Sequence, residues 1–115
     1  MSNNSPKPVT GIRWVGRSAI ADVAGDVDLD CSLEFQHQLL EALDKSPARL
    51  IVNLRGVAYM DSSGVASLVK MLSKARKLHC QLVLAEMQQR VQSVFEMTRL
   101  DDVFTIRATE KEALA

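Results

Sequence analysis

At 115 residues, with 47% hydrophobic and 24% charged residues, the chain has the size and balance of one soluble globular domain that needs neither disulfides nor metal to fold. Lys and Arg total 14 and so do Asp and Glu, so the net charge is zero; this argues against non-specific nucleic-acid binding, which needs a basic surface, but leaves room for a local charged patch. Aromatic residues make up only 4%, so the core has to be aliphatic.

In chain order, residues 1–9 are polar and Pro-containing and predict a disordered tail, since Ser, Asn, Lys and Pro bury too little to offset the ordering entropy. Without an apolar signal core or an apolar run of roughly 20 residues, the chain is expected to be cytoplasmic. One domain is expected over 10–115. Ile12 to Val15 and Ala19 to Ala24 predict two strands, and Gly16-Arg17-Ser18 between them predicts a hairpin turn. Gly25 is expected to end the second strand and open an acidic loop, Gly25-Asp26-Val27-Asp28-Leu29-Asp30.

Phe35, Leu39, Ala42 and Leu43, with Leu40 beside them, form one helical stripe, and Ser46-Pro47 stops it. Leu50 to Leu54 is a short apolar run that suits a strand buried on both faces. A second helix opens at Asp61-Ser62-Ser63-Gly64 and carries Val65, Leu68, Val69 and Leu72 at core spacing, with Lys70, Lys74 and Lys77 on other faces. Gln81 to Ala85 repeats the buried-strand pattern, and Met87, Val91, Val94, Phe95 and Thr98 suggest a third helix. Leu100, Val103, Phe104 and Ile106 return the chain to the core, and Thr109 with Glu112 has capping-box spacing ahead of a short last helix. The order β-β-α-β-α-β-α-β-α predicts an α/β fold: a mixed sheet of about four to five strands, an N-terminal hairpin followed by right-handed βαβ units, covered by about four helices.

The chain lacks the residues of most recognisable chemistries. The five glycines build neither a dinucleotide fingerprint nor a phosphate loop. Cys31 and Cys80 stand far apart in sequence, form no CxxC, and have no zinc-ligand spacing with His37 and His79. A Ser–His–Asp set drawn from Ser63, a histidine and an aspartate would be found in most chains, so no enzymatic role, cofactor or metal is expected. The aspartates at 26, 28 and 30 do not make a calcium loop, because Cys31 and His37 occupy the positions of its glycine and glutamate.

The informative stretch is Val52 to Leu72, VNLRGVAYMDSSGVASLVKML: a buried strand, a short connector, and a helix whose first turn carries Asp, Ser, Ser and Gly. Asp61 or Ser62 is needed to cap the helix, which is worth about 1 kcal/mol. One cap leaves the second serine unexplained. A helix N-terminus tolerates an anion, so a phosphate on Ser63, adding about −1.5 to −2 charges, would spare the fold and alter whatever docks there. Tyr59 and Met60, just before this motif, are expected to pack inward.

Three segments resemble the STAS family, and within it the stand-alone bacterial anti-sigma factor antagonists: Gly25-Asp26-Val27-Asp28, Asp61-Ser62-Ser63-Gly64, and Thr98-Arg99-Leu100-Asp101-Asp102-Val103-Phe104. The similarity extends from Ile12 to Leu114; Asp26 stands where the family often has glutamate. The resemblance implies a STAS fold and a partner switch. An unphosphorylated antagonist binds an anti-sigma factor that is also a serine kinase with an ATP-binding fold, and so releases the sigma factor. Phosphorylation of the second serine, here Ser63, ends binding, and a PP2C-type phosphatase restores it. Asp26, Asp28, Asp61, Ser62, Ser63 and Gly64 would then form the partner-binding surface, although a solvated acidic loop explains Asp26, Asp28 and Asp30 equally well. No direct nucleic-acid contact and no membrane insertion are implied. A second reading is a STAS accessory subunit of an ABC-type lipid transporter, docking on its ATPase without phosphorylation.

Overall fold

The computed structural model describes residues 7–115. Its sheet has five strands in the order β1-β2-β3-β4-β5, namely Val9–Val15, Ser18–Val27, Arg49–Met60, Gln81–Ala85 and Thr105–Arg107. The first two pair antiparallel across the Gly16-Arg17 turn, and every later pair is parallel. The connecting helices are α1 (Ser32–Leu43), α2 (Ser62–Lys77) and α3 (Gln89–Met97), with a 3-10 turn at Leu100–Asp102 and a terminal α4 (Glu110–Leu114). This is the mixed α/β sheet expected from the alternation of strand and helix patterns.

Side chains alternate along each strand, so the sheet has two faces with separate cores. On one face Ala19, Ala21, Leu50, Val52, Leu82 and Leu84 pack under α1, α2 and α3. That cluster includes the α1 stripe Phe35, Leu39, Ala42 and Leu43, and Phe95 meets Phe104 edge-on at a ring separation of 5.5 Å. On the other face Ile20, Ile51, Val83 and Ala85 are covered, among the described residues, by Ala113 and Leu114 of α4. Polar contacts hold α4 in place. Arg13 bonds both carboxylate oxygens of Glu110, Asn53 donates to the same group, and Thr109 Oγ1 caps the helix by accepting from Glu112 N at 3.1 Å.

Several boundaries differ from those predicted. Of the tail expected over 1–9, residues 1–6 lie outside the described region, and Val9 begins β1, buried, with its N–H and C=O held by the Gln38 side chain. The largest correction concerns β2 and β3. Gly25, Asp26 and Val27 are strand and not loop, and β3 runs on from Leu54 to Met60, so that Asp26 pairs with Tyr59 and Val27 with Met60. Two register shifts, between Asp22 and Ala24 and between Ala24 and Asp26, interrupt the alternation that would have revealed the extension. Gly25 adopts φ +88° within it, and at Gly56 a Cβ would lie 2.9 Å from the carbonyl oxygen of Val23, so the two strands approach too closely for a larger residue. Val69 is 41% exposed: the buried face of α2 turns through Gly64, Leu68, Met71 and Ala75, and Val69 falls outside it. Val103 is also exposed, whereas Phe104 is buried.

Candidate functional site

The junction of β3 and α2 is built around one carboxylate. Asp61 sits in extended backbone at φ −96°, and its Oδ1 accepts from the N–H groups of Ser63 at 2.8 Å and Gly64 at 3.3 Å. These are two of the four N–H groups that a helix start leaves without partners, so Asp61 is the cap and neither serine is needed for that task. Its own backbone N–H donates to the carbonyl oxygen of Val27 at 3.2 Å, tying the helix start to the end of β2. Gly64 completes the joint. A Cβ there would lie 2.7 Å from Val27 O and from Met60 Cγ, so the first turn of α2 rests directly on Val27 and Met60.

This joint brings the β2–α1 loop beside the serine pair. Asp28, half-buried, accepts from Asp30 N at 3.1 Å through Oδ1, and its carbonyl accepts from Cys31 N. The Cys31 thiol donates to Asp26 O at 3.3 Å; burial pushes this thiol up from its ordinary value, so it stays protonated and staples the loop. Asp28, Asp61, Ser62, Ser63 and Gly64 therefore gather at one end of the sheet. Asp26 differs. Val27 is buried beneath α2, and by strand alternation the preceding Asp26 side chain points to the opposite face of the sheet.

The two serines face different neighbours. Ser63 is half-buried on the side of α2 turned toward α1. One turn on, Ser67 is fully buried, donates to Ser63 O at 2.9 Å, accepts from Gln36 Nε2 at 2.9 Å and lies within reach of Ser32 O. Ser62 is exposed and, with Tyr59, Met60, Asp61, Val65, Ala66, Val94 and Thr98, lines a groove between α2 and α3. Tyr59, expected to pack inward, is 48% exposed, while Met60 is buried as expected. Leu29 and Leu33 are exposed at the start of α1, and Met97 is 83% exposed at the end of α3, so uncovered apolar side chains flank the serines on both sides. Sequence reasoning missed the Gln36–Ser67 link and the exposure of Met97. The second had a signal, an uncharged Met three residues after Val94 in a helix whose core stripe was already accounted for.

His37 and His79 are both exposed, on α1 and just after α2. Among the described residues no three His, Cys, Asp or Glu side chains are grouped as a metal site, and no helix is long and apolar enough to cross a membrane.

Comparison with known proteins bears on the family and the fold. The family model described as the STAS domain matches residues 12–113. The anti-sigma-B factor antagonist of Listeria monocytogenes is 31% identical over 90 residues, covering 78% of this chain and 79% of that protein. Among solved structures, an anti-sigma factor antagonist from Mycobacterium paratuberculosis superposes with a TM-score of 0.80 at 20% identity, covering 95% of this chain and 93% of that one. The Bacillus cell fate determinant SpoIIAA in its phosphorylated form does so with a TM-score of 0.68 at 21% identity, over 90% and 95%.

Proposed function

This chain belongs to the STAS domain family, and on that premise we propose that it is an anti-sigma factor antagonist controlled by phosphorylation of Ser63. The unmodified chain binds an anti-sigma factor that is also an ATP-using serine kinase, and the sigma factor is freed. Phosphate on Ser63 ends that complex, and a PP2C-type phosphatase renews it. The protein acts in the cytoplasm by binding alone, without contacting nucleic acid itself.

The observation that carries the reading is the division of labour at the start of α2. Asp61 alone caps the helix, which leaves the half-buried Ser63 hydroxyl in the first turn without a capping role. A phosphate there adds about −1.5 to −2 charges at the positive end of a helix dipole, so the fold tolerates it. The same charge stands beside Asp28 and Asp61 on the surface offered to the partner. The bulk of a phosphate at the contact surface and the cost of desolvating it both oppose docking, while nothing in the core has to move. Asp28, Asp61 and Ser62 form the contact surface with Ser63, and Gly64, expected at that surface, is buried against Val27 and Met60 and sets the turn beneath it. Asp26 contributes at its edge through the backbone that holds Cys31.

Affinity capture from the native cells tests this, using wild type, Ser63→Ala and Ser63→Asp as baits and mass spectrometry to identify partners. The reading requires an anti-sigma serine kinase with the first two baits and not the third. A transporter ATPase held equally by all three would make the chain a transport accessory subunit and leave Ser63 a helix-start residue.

A further inference from the structure

The groove between α2 and α3 is separate from the Ser63 side of the helix. Positions 62, 65 and 66 recur at helical spacing on one flank of α2, where Ser62, Val65 and Ala66 form one wall. Ser63 and Ser67 lie about a quarter-turn away on the flank held by Gln36 of α1. Val94 and Thr98 of α3 form the opposite wall, Met60 and Tyr59 close one end, and the cavity is about 480 Å³. A second hollow of about 340 Å³ shares Tyr59, Met60 and Val94 and follows α3 from Arg90 in its first turn through Ser93 to Met97 at its end. The lining is apolar through its middle and charged at its two ends, by Asp61 at the helix start and Arg90 on α3.

We propose that this groove is a second docking element for the same anti-sigma partner, receiving a partner segment whose apolar side chain fills the middle, with a cationic side chain toward Asp61 and an acidic one toward Arg90. The inference rests on the antagonist reading above and goes beyond the serine loop. Two observations select this occupant. The groove is continuous with the serine loop, sharing Asp61 and Ser62, so a protein seated on the loop covers the groove in the same encounter. The charges also ask for one polarity of partner, because Asp28, Asp30 and Asp61 make the loop side acidic and Arg90 makes the far end basic. A thioether as exposed as Met97 at the rim is adaptable and suits a contact completed by another protein. Because Ser63 faces the other flank, the groove supplies affinity and partner choice, while the serine supplies the switch.

The test is a titration of the anti-sigma kinase encoded in the same genome against Ser63→Ala chains, in which phosphorylation cannot intervene. Met97→Glu and Ala66→Glu attack the groove from its two walls at exposed positions, and Met97→Leu preserves its apolar character. Both acidic variants should keep the parent melting temperature and lose roughly tenfold or more in affinity, with Met97→Leu close to the parent. Affinities within about twofold of the parent for both acidic variants would overturn the groove's role while leaving the serine switch intact. Failure of the Ser63→Ala parent itself to bind the kinase would instead overturn the antagonist reading on which the inference rests.

Discussion

Gly64 has no room for a side chain because the carbonyl oxygen of Val27 occupies the position: a Cβ on Gly64 would lie 2.7 Å away. This single contact ties the two segments that matter most, since Val27 precedes Asp28 and Gly64 follows Ser63. The backbone oxygen cannot yield as a flexible side chain would, so the serine turn and the acidic loop are held in one fixed relation.

Gly64→Ala should therefore destabilise the fold. Alanine gains up to about 1 kcal/mol of helix propensity over glycine, but overpacking against backbone costs about 1–3 kcal/mol, and the clash wins. Denaturant unfolding should show a lower midpoint with an unchanged slope. A midpoint equal to or above that of wild type would mean that the joint between α2 and β2 is looser than described.

Asp61 has a capping role and a charge, and two substitutions separate them. Asp61→Ala should cost about 1 kcal/mol of stability, because two first-turn N–H groups lose their acceptor. Asp61→Ser can still cap and should unfold near wild type, yet it removes the carboxylate from the proposed contact surface. If Asp61→Ser binds the anti-sigma partner as tightly as wild type, the charge at this position plays no part in recognition.

Leu68 and Val69 are adjacent on α2 and should respond differently. Leu68 is fully buried, so Leu68→Ala leaves a cavity and should cost about 2–5 kcal/mol. Val69 is 41% exposed, and Val69→Ala should fall within about 0.5 kcal/mol of wild type. Equal losses in thermal melts of the two variants would contradict the orientation of the helix.

Stability should also depend on pH through Glu110. Hydrogen bonds from the Arg13 guanidinium, followed by that from Asn53, hold this carboxyl below the usual glutamate value, although partial burial works the other way. A carboxyl lowered in the folded state stabilises the fold at pH values above the ordinary glutamate range and loses that contribution as pH falls below it. Urea midpoints should therefore favour wild type over Glu110→Gln at neutral pH and converge below about pH 4. A gap between the two that stayed constant into acid would assign the effect of Glu110 to something other than its charge.

What could be read in the sequence depended on whether a feature was local. The α1 stripe from Phe35 to Leu43, the strand Gln81–Ala85 and the helix start at the Asp61-Ser62 pair each follow from residues within a turn or two of one another, and all stand where expected, with Asp61 the one of the pair that caps. The extension of β2 through Val27 was hidden because its support comes from β3, more than thirty residues away, across two register shifts that break the alternation. The same distance effect limits the site. DSSG marks the helix start and puts Ser62 and Ser63 on different flanks, but only the position of α1 against Ser67 shows that the Ser63 flank is the one facing α1. Val69 was misplaced because both of its spacings, from Val65 and from Leu72, fit a helical stripe, and only packing decides where that stripe is centred.

The most direct test of the central claim is to incubate the chain with the anti-sigma kinase and Mg-ATP, locate the phosphate by fragmentation mass spectrometry, and titrate the product against fresh kinase. The account predicts a single phosphate on Ser63 and loss of binding without loss of fold. A phosphate confined to Ser62, or a Ser63 phosphoprotein that binds as tightly as the unmodified chain, would contradict it.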